Sequence, residues 1–191
     1  MKNSSDIAKY IFEIGTLKRI HRKWNKLEGV QVPESVADHT FRSAILGYIL
    51  AKMEGADAEK VLKMCLFHES GEARIGDMDK VTQRYIDKNN AELSAAKDQL
   101  EALPKELGNE IFLLIQEMFE RKTKEAIIAK DTDILELMFQ AKEYADSGYQ
   151  GCTYWIERGE KLLKTKSAKK LAKELKKIKA TQWWKGLQKW D

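Results

Sequence analysis

The stretch FHESGEARIGD (residues 67–77) places one histidine and three carboxylates within eleven residues. It overlaps the end of the apolar run VLKMCLF (residues 61–67), whose composition favours a buried helix. A surface turn would explain the two glycines and one acidic residue. It would not explain His68, which is one of only three histidines in the chain.

Helical periodicity dominates the sequence and predicts an all-α fold. The chain has only two prolines in 191 residues and no convincing alternation of polar and apolar residues, which disfavours a β architecture. Gly55, Pro104 and the segment SGYQG (147–151) mark breaks between helices. The predicted helices cover residues 7 to about 19–21, 36–53, 57–68, 81–103, 105–120 and 124–146, and the lysine-rich tail is also helical.

The helix predicted at 36–53 has a broad apolar face. Pro33 and Ser35 mark its start. A face of this kind usually packs against the core of a globular protein. Its members are Phe41, Ala44, Ile45, Tyr48 and Ile49.

The composition is that of a soluble globular protein, with 43% hydrophobic and 34% charged residues. No apolar run approaches the ~18 residues that span a bilayer. Asp6, Lys9 and Glu13 interrupt the amino-terminal segment, so it lacks the apolar core of a signal peptide. Cys65 and Cys152 lie in unrelated contexts, which suits reduced, buried thiols. We therefore expect a cytoplasmic protein without a transmembrane segment.

Charge is distributed unevenly along the chain. Residues 151–191 contain 12 Lys/Arg against 4 Asp/Glu, whereas residues 1–150 contain 22 against 26. Together with the break at SGYQG, this predicts two regions. Residues 1–150 would form the domain that carries the chemistry, and residues 151–191 would form a Lys/Trp-rich helical extension that packs on it.

The residue types allow a metal site. Divalent transition metals bind imidazole nitrogens and carboxylate oxygens that converge on one point. His39 lies early in the helix predicted at 36–53, and His68 and Glu69 end the next one. Either Asp131 or Asp133 would add a carboxylate from an otherwise apolar helix, where a carboxylate needs a partner. A histidine near a helix end is more often a capping or hydrogen-bonding residue, so spacing alone leaves both explanations open.

Several short motifs follow one another in a definite order. They are LKR (17–19), Arg22, Trp24, PESVADH (33–39), His68-Glu69 followed by Glu72, Gly76-Asp77, and Lys130-x-x-Asp133 before QAKEY (140–144). In this order and spacing, the motifs resemble the HD-domain superfamily of metal-dependent phosphohydrolases. More narrowly, they resemble its branch of small bacterial 5′-deoxynucleotidases with archaeal and eukaryotic relatives. The resemblance covers about residues 7–146.

The resemblance implies a helical bundle with a buried mononuclear metal site between helices, usually in a homodimer. By position, the ligands of one divalent ion (Mn, Co, Zn, Ni, Fe or Mg) would be His39, His68, Glu69 and Asp133. One residue departs from the family pattern, because the family doublet is His-Asp and this chain has His68-Glu69. Glutamate is also an oxygen ligand for divalent ions, but its extra methylene moves the carboxylate by roughly 1.5 Å.

The resemblance also implies a reaction, the removal of phosphate from (deoxy)nucleoside 5′-monophosphates by metal-activated water. Glu72 and Asp77 would be the catalytic acids, with Glu72 assisting proton transfer. Arg22, or Arg19 in its place, would hold the phosphate. Trp24 would contact the nucleoside, although a place in the aromatic core is nearly as well supported.

The basic tail suggests an alternative function, a module that binds nucleic acid or an anionic surface. Its lysines and tryptophans combine phosphate contacts with stacking, and they would also suit an anionic bilayer. In that case the metal site would be structural or inactive because of Glu69. The simpler interpretation is that the apolar residues of the tail pack on the domain while its lysines face water. The tryptophans are Trp183, Trp184 and Trp190, and the apolar residues are Leu171, Leu175 and Ile178.

Overall fold

The structure is a computed structural model that describes residues 3–189. The prediction of an all-α fold is confirmed, because these residues form α-helices and short 3₁₀ turns but no strand. The α-helices of the described chain are α1 (Ser4–Ile14), α2 (Trp24–Glu28), α3 (Val36–Glu54), α4 (Ala58–Phe67), α5 (Glu72–Ile75), α6 (Lys88–Leu100), α7 (Lys105–Glu120), α8 (Lys124–Asp146), α9 (Thr153–Leu162) and α10 (Lys166–Lys177).

Helix α8 lies at the centre of the main hydrophobic core. Helices α3, α4, α9 and α10 pack around it, and Ile128, Leu135 and Met138 of α8 are fully buried. Burying one large aliphatic side chain stabilises a fold by about 1.5–3 kcal/mol. This packing fixes α8 and therefore the acidic side chains, among them Asp133 and Glu136, that it carries into the interior.

A second, smaller core is built from α1, α6 and α7. Phe67, the last residue of α4, packs against this second core, whereas Met64 and Cys65 of the same helix belong to the main core. The end of α4 is therefore held between the two cores. The buried members of the second core are Tyr10, Ala96, Leu100, Leu103, Ile111 and Ile115.

The helix expected from residue 81 begins later, at Lys88. Asp79 accepts hydrogen bonds from the backbone N–H groups of Val81 and Thr82, and a 3₁₀ turn follows over Thr82–Arg84. Asp87 then caps α6. The prediction of a helix start at 81 is wrong because aspartate side chains compete for the backbone donors that would begin a helix there.

The apolar face predicted for α3 is directed to the protein surface. Phe41 is 69% exposed, and Ile45, Tyr48 and Ile49 are each at least 40% exposed. The opposite face, which carries Leu50 and smaller or polar residues, packs on α4 and α8. The larger apolar face of α3 therefore does not meet the core of the same chain.

The tail forms α9 and α10, which both pack on α8. Leu175 is buried, whereas Ile178 is 45% exposed. Trp183 and Trp184 are 77% and 42% exposed, and Trp190 lies outside the described residues. Within residues 3–189, no helix is long and apolar enough to cross a membrane.

Candidate metal centre and its cavity

Four side chains from three parts of the fold converge between α3, α4 and α8. His39 comes from the first turn of α3, His68 and Glu69 directly follow α4, and Asp133 comes from the buried helix α8. One potential ligand atom from each lies within 4.8 Å of the other three. The structure thus brings together the four residues that the sequence analysis singled out as metal ligands.

The distances between these atoms are those of a ligand shell. His39 Nε2 lies 3.3 Å from Asp133 Oδ1 and 3.8 Å from Glu69 Oε1. His68 Nε2 lies 3.3 Å from Glu69 Oε1 and 3.8 Å from Asp133 Oδ1. Atoms bound at about 2.0–2.2 Å to one ion stand about 3–4 Å apart. The longer Glu69 side chain therefore reaches the same point as Asp133.

Hydrogen bonds from the Nδ1 atoms fix the orientation of the two imidazole rings. His68 Nδ1 donates a hydrogen bond to the carbonyl oxygen of Cys65 at 2.9 Å, and His39 Nδ1 donates to the carboxylate of Glu136. This tautomer leaves a lone pair on each Nε2. Both Nε2 atoms are buried and have no hydrogen-bond partner among the described residues. Two buried lone pairs directed at two carboxylates suit a divalent cation, so the cluster can hold one.

A second layer of polar groups supports His39. Arg42, one turn further along α3, donates to Glu136 Oε1 at 2.8 Å and thereby holds the carboxylate that orients the His39 ring. The start of α3 is fixed as well, because Ser35 and Asp38 form a reciprocal capping box. The imidazole is thus positioned before any ligand binds.

Charge within the cluster favours a cation. Burial acts to raise the pKa of Asp133, but Lys130 and the two histidines hold that pKa well below its usual value. Burial likewise opposes ionisation of Glu69, yet Lys88 and His68 hold its pKa well below normal. For His68, burial lowers the pKa, but Glu69 and Asp133 outweigh it and raise the pKa to about 10, so without an ion the ring holds a proton at Nε2 that a bound cation would displace. Two buried carboxylates therefore stay ionised and require positive charge nearby.

The turn after Glu69 packs directly on α6. A Cβ atom at Gly71 would lie 2.6 Å from the carbonyl oxygen of Glu92, so only glycine allows this close approach. The approach places three buried carboxylates, those of Glu69, Glu72 and Glu92, next to one another. Lys88 lies among them, with Nζ 3.0 Å from Glu72 and 2.8 Å from Glu92.

Glu72 is one of two acids in this group whose pKa is raised. Its burial, followed by the charges of Glu69 and Asp77, raises its pKa well above the usual value. Its Oε2 atom is buried without a hydrogen-bond partner among the described residues. Glu92 is affected in the same direction, because burial and Glu69 raise its pKa to about 7. Two carboxyl groups with raised pKa values therefore lie behind Glu69.

The predicted substrate residues differ in where the structure places them. Arg22 is buried and its Nη1 lies 3.4 Å from Glu69 Oε1. Trp24 packs edge to face against Trp155, with ring centroids 5.7 Å apart, so it belongs to the aromatic core and also lines the cavity described below. Asp77 accepts the backbone N–H of Lys23 at 2.8 Å. Arg19 is exposed and does not line this cavity.

Asp131, the other candidate carboxylate of α8, has a structural place instead. Its oxygens accept the backbone N–H groups of Lys164 and Thr165 at 2.6–3.0 Å and the Thr165 hydroxyl at 2.8 Å. It therefore ties the junction of α9 and α10 to α8. Asp133 is the α8 aspartate that faces the two histidines.

A cavity of about 960 Å³ opens beside the four converging side chains. Glu69 and Asp133 form part of its wall, together with Arg22, Trp24 and Asp77. Glu72 is not among the lining residues and lies behind Glu69. The cavity is large enough for a small organic ligand, since such sites usually measure about 300–1,000 Å³.

Sequence reasoning missed Lys88, Glu92, Glu136 and Arg42. A spacing signal existed for two of them, because Arg42 follows His39 by three residues and Glu136 follows Asp133 by three, which places each pair on one helix face. Lys88 and Glu92 carried no such signal. Their role depends on how α6 packs on the turn at Gly71, and this packing is not encoded locally.

This chain is similar to known proteins over most of its length. The family model of the HD domain matches residues 14–179. The 5′-deoxynucleotidase of Dictyostelium discoideum is 38% identical over 160 residues, which are 78% of this chain and 82% of that protein. The human 5′-deoxynucleotidase is 29% identical over 143 residues, 73% of this chain and 69% of that protein.

Solved structures show the same fold. A conserved hypothetical protein from Pyrococcus furiosus has a TM-score of 0.77 at 33% identity, covering 90% of this chain and 99% of that one. A predicted metal-dependent phosphohydrolase from Magnetospirillum magnetotacticum has a TM-score of 0.72 at 24% identity, covering 92% of each chain. The resemblance seen in the sequence motifs is confirmed. With most of its length matched by the family model and its fold shared with these structures, the chain belongs to the HD-domain family.

Proposed function

We propose that the protein is a metal-dependent phosphohydrolase that removes phosphate from (deoxy)nucleoside 5′-monophosphates. The observation that carries the proposal is the convergence of two buried imidazole Nε2 atoms and two carboxylates at the wall of a cavity. The similarity to proteins named 5′-deoxynucleotidases supports the substrate class.

The ligands of the metal would be His39, His68, Glu69 and Asp133. Two imidazoles with two carboxylates suit a transition ion such as Mn, Co, Zn, Ni or Fe better than Mg, which prefers oxygen ligands and water. A bound divalent cation supplies Lewis acidity and lowers the pKa of water.

Residues of the chain would bind and orient the nucleotide. Arg22 uses one guanidinium N–H toward Glu69, which leaves donors for the phosphate in the planar fork that only arginine presents. Trp24 would form a rigid wall for the nucleoside, since its ring is held by Tyr144 and Trp155. Asp77 lines the cavity and would orient the attacking water.

Proton transfer would depend on the acids behind the cluster. The pKa of Glu72 is raised, and because its side chain lies behind Glu69 and does not line the cavity, it would pass a proton to the leaving alkoxide through one intervening water. Lys88 would keep the Glu72 side chain in place through its contact at 3.0 Å.

A panel of phosphate esters tests this function. We expect the purified chain, loaded in turn with single divalent ions, to release inorganic phosphate from deoxynucleoside 5′-monophosphates. The matching 3′-monophosphates should react with a kcat/KM lower by roughly tenfold or more, because the ester lies at the other end of the sugar. Equal hydrolysis of all the esters, or of none, would contradict the proposed substrate class.

We also propose a homodimer formed through the exposed face of α3. Phe41, Ile45, Tyr48 and Ile49 form a stripe of large apolar side chains whose exposure is 40–69%. Exposed apolar patches of this kind mark interaction sites. A second copy of the chain is a fitting partner, because an isologous contact would bury the same stripe on both subunits.

Substitutions on this face test the dimer. The wild-type chain is expected to sediment as a dimer of 22.0 kDa subunits. Phe41→Glu combined with Ile45→Glu should yield monomers, because four buried charges would face one another across the interface. Leu113→Glu is the matched control, since Leu113 is 61% exposed on α7. Monomeric wild-type protein, or a double variant that stays dimeric, would refute this assembly.

A cytoplasmic location is also a proposal. Both cysteines, Cys65 and Cys152, are free and buried, which suits a reducing compartment.

A further inference from the structure

The cavity extends well beyond the metal cluster to helix α9. Tyr154, Trp155, Arg158 and Lys161 of α9 line it, whereas Glu69 and Asp133 form part of its wall at the metal cluster. Its volume of about 960 Å³ is at the upper end of the range of about 300–1,000 Å³ for small-molecule sites. A nucleoside monophosphate bound at the cluster would therefore leave part of the cavity unfilled.

Several contacts hold α9 firmly in this position. The Trp155 indole N–H donates to Glu28 of α2. A Cβ atom at Gly159 would lie 2.6 Å from Met138 Cγ, so α9 approaches α8 as closely as glycine permits. Asp131 fixes the end of α9 through its bonds to Lys164 and Thr165. The side chains that α9 directs to the cavity consequently project from a rigid wall.

Positive charge prevails in the part of the cavity that α9 forms. Arg158, Lys161 and Lys164 line it, and no ion pair to any of their side chains is found within residues 3–189. The acidic residues of the lining are already engaged. Asp131 accepts backbone N–H groups, and Asp79 accepts from Lys26 at 2.7 Å. The α9 end of the cavity thus offers uncompensated cationic side chains.

We propose that α9 forms a second phosphate subsite, and that the favoured substrates are nucleotides with a further phosphate on the 3′ side. The inference rests on the proposed 5′-nucleotidase function and names its substrate class more narrowly. Arg158 and Lys161, three residues apart on one face of α9, bind the second phosphate as a monoester or as a diester. Such charge-assisted contacts add to the binding of the 5′-phosphate at the metal cluster.

Binding measurements test the subsite. Calorimetry with metal-loaded, full-length Glu72→Gln protein, in which turnover is slow, compares thymidine 5′-monophosphate with thymidine 3′,5′-bisphosphate and with 5′-phosphorylated thymidine dinucleotide. The expected result is binding roughly tenfold tighter for at least one ligand with a second phosphate. The bisphosphate and the dinucleotide distinguish recognition of a monoester from that of a diester. Arg158→Ala and Lys161→Ala, added to the Glu72→Gln protein, should remove the tighter binding of the second phosphate. They should change the affinity for the monophosphate less than twofold.

A matched control separates the subsite from general charge. Lys169→Ala with Lys173→Ala also removes two positive charges, but from exposed positions of α10 that do not line the cavity. This double variant should still bind the ligand with two phosphates more tightly than the monophosphate. Equal affinity for one and two phosphates in the parent protein would overturn the subsite. The subsite would also be overturned if both double variants lost the same affinity for the ligand with two phosphates, or if the α9 double variant lost as much affinity for the monophosphate. A failure of the proposed 5′-nucleotidase function is detected separately, because the wild-type protein would then release no phosphate from deoxynucleoside 5′-monophosphates.

Discussion

His68→Ala is expected to abolish both metal binding and phosphate release. The substitution removes one of two buried Nε2 atoms, which lies 3.3 Å from Glu69 Oε1, and so takes away one of the four ligands of the metal. Loss of one imidazole from a four-ligand shell should lower bound metal to background, and activity should fall by at least about 10³-fold because the remaining groups cannot activate water. Elemental analysis and a phosphate assay measure the two effects.

His21→Ala is the control for this substitution. His21 is exposed, and its ring is hydrogen-bonded to the carbonyl oxygen of Pro33. Removing the His21 ring should therefore leave metal content and activity unchanged. His68→Gln, which preserves the side-chain volume better, guards against a folding defect, and thermal melts monitored by circular dichroism should show that it is folded. Normal phosphate release by a folded His68→Gln protein would refute the role of His68.

Glu72→Gln is expected to preserve the metal and to slow the reaction. Glutamine matches the shape of the protonated carboxyl group, whose raised pKa follows from burial and from Glu69, but it cannot transfer a proton. Loss of a general acid lowers kcat by about 10²–10⁴. Steady-state kinetics should show this loss in kcat with little change in KM, together with one metal ion per chain.

Glu92→Gln distinguishes proton transfer from simple support. Glu92 also contacts Lys88, at 2.8 Å, but it is not proposed as a proton donor, so its substitution should lower kcat by less than about tenfold. Equal, small effects of Glu72→Gln and Glu92→Gln would mean that Glu72 only positions Lys88 and is no proton donor.

The helices and the convergence of the cluster could be predicted because their signals are local or shared with a family. The helix at residues 124–146 matches the observed α8. The positions of His39, His68 and Asp133 follow from the motif order of the family. Residue types alone left Asp131 and Asp133 equivalent. The family motif favours Asp133, and the packing of the α9–α10 junction, which occupies Asp131, agrees with that choice.

Other features depend on contacts between distant segments. An apolar helix face predicts burial but not the partner that buries it, which explains why the stripe around Phe41 and Ile45 is exposed in the single chain. Lys88 and Glu72 are sixteen residues apart in the sequence, and their contact requires α6 to pack on the turn at Gly71. Neither hydrophobic periodicity nor capping signals encode such an encounter.

The extra methylene of Glu69 can be judged from the geometry. Its Oε1 atom makes the same pair of distances to the two imidazoles, 3.3 and 3.8 Å, as Asp133 Oδ1 does. Arg22 and Lys88 lie 3.4 and 3.9 Å from its carboxylate and hold it in place. The side chain is therefore accommodated by its neighbours, and its position is compatible with metal binding.

Removal and return of the metal test the central claim most directly. The wild-type chain is stripped with a chelator, titrated with a single transition ion, and assayed for phosphate release from a deoxynucleoside 5′-monophosphate. We predict that activity is lost on stripping, returns in proportion to bound metal, and reaches its maximum at one ion per chain. Phosphate release that persists in fully stripped protein, or that never appears at full metal occupancy, would contradict the assignment of the cluster of His39, His68, Glu69 and Asp133 as a catalytic metal centre.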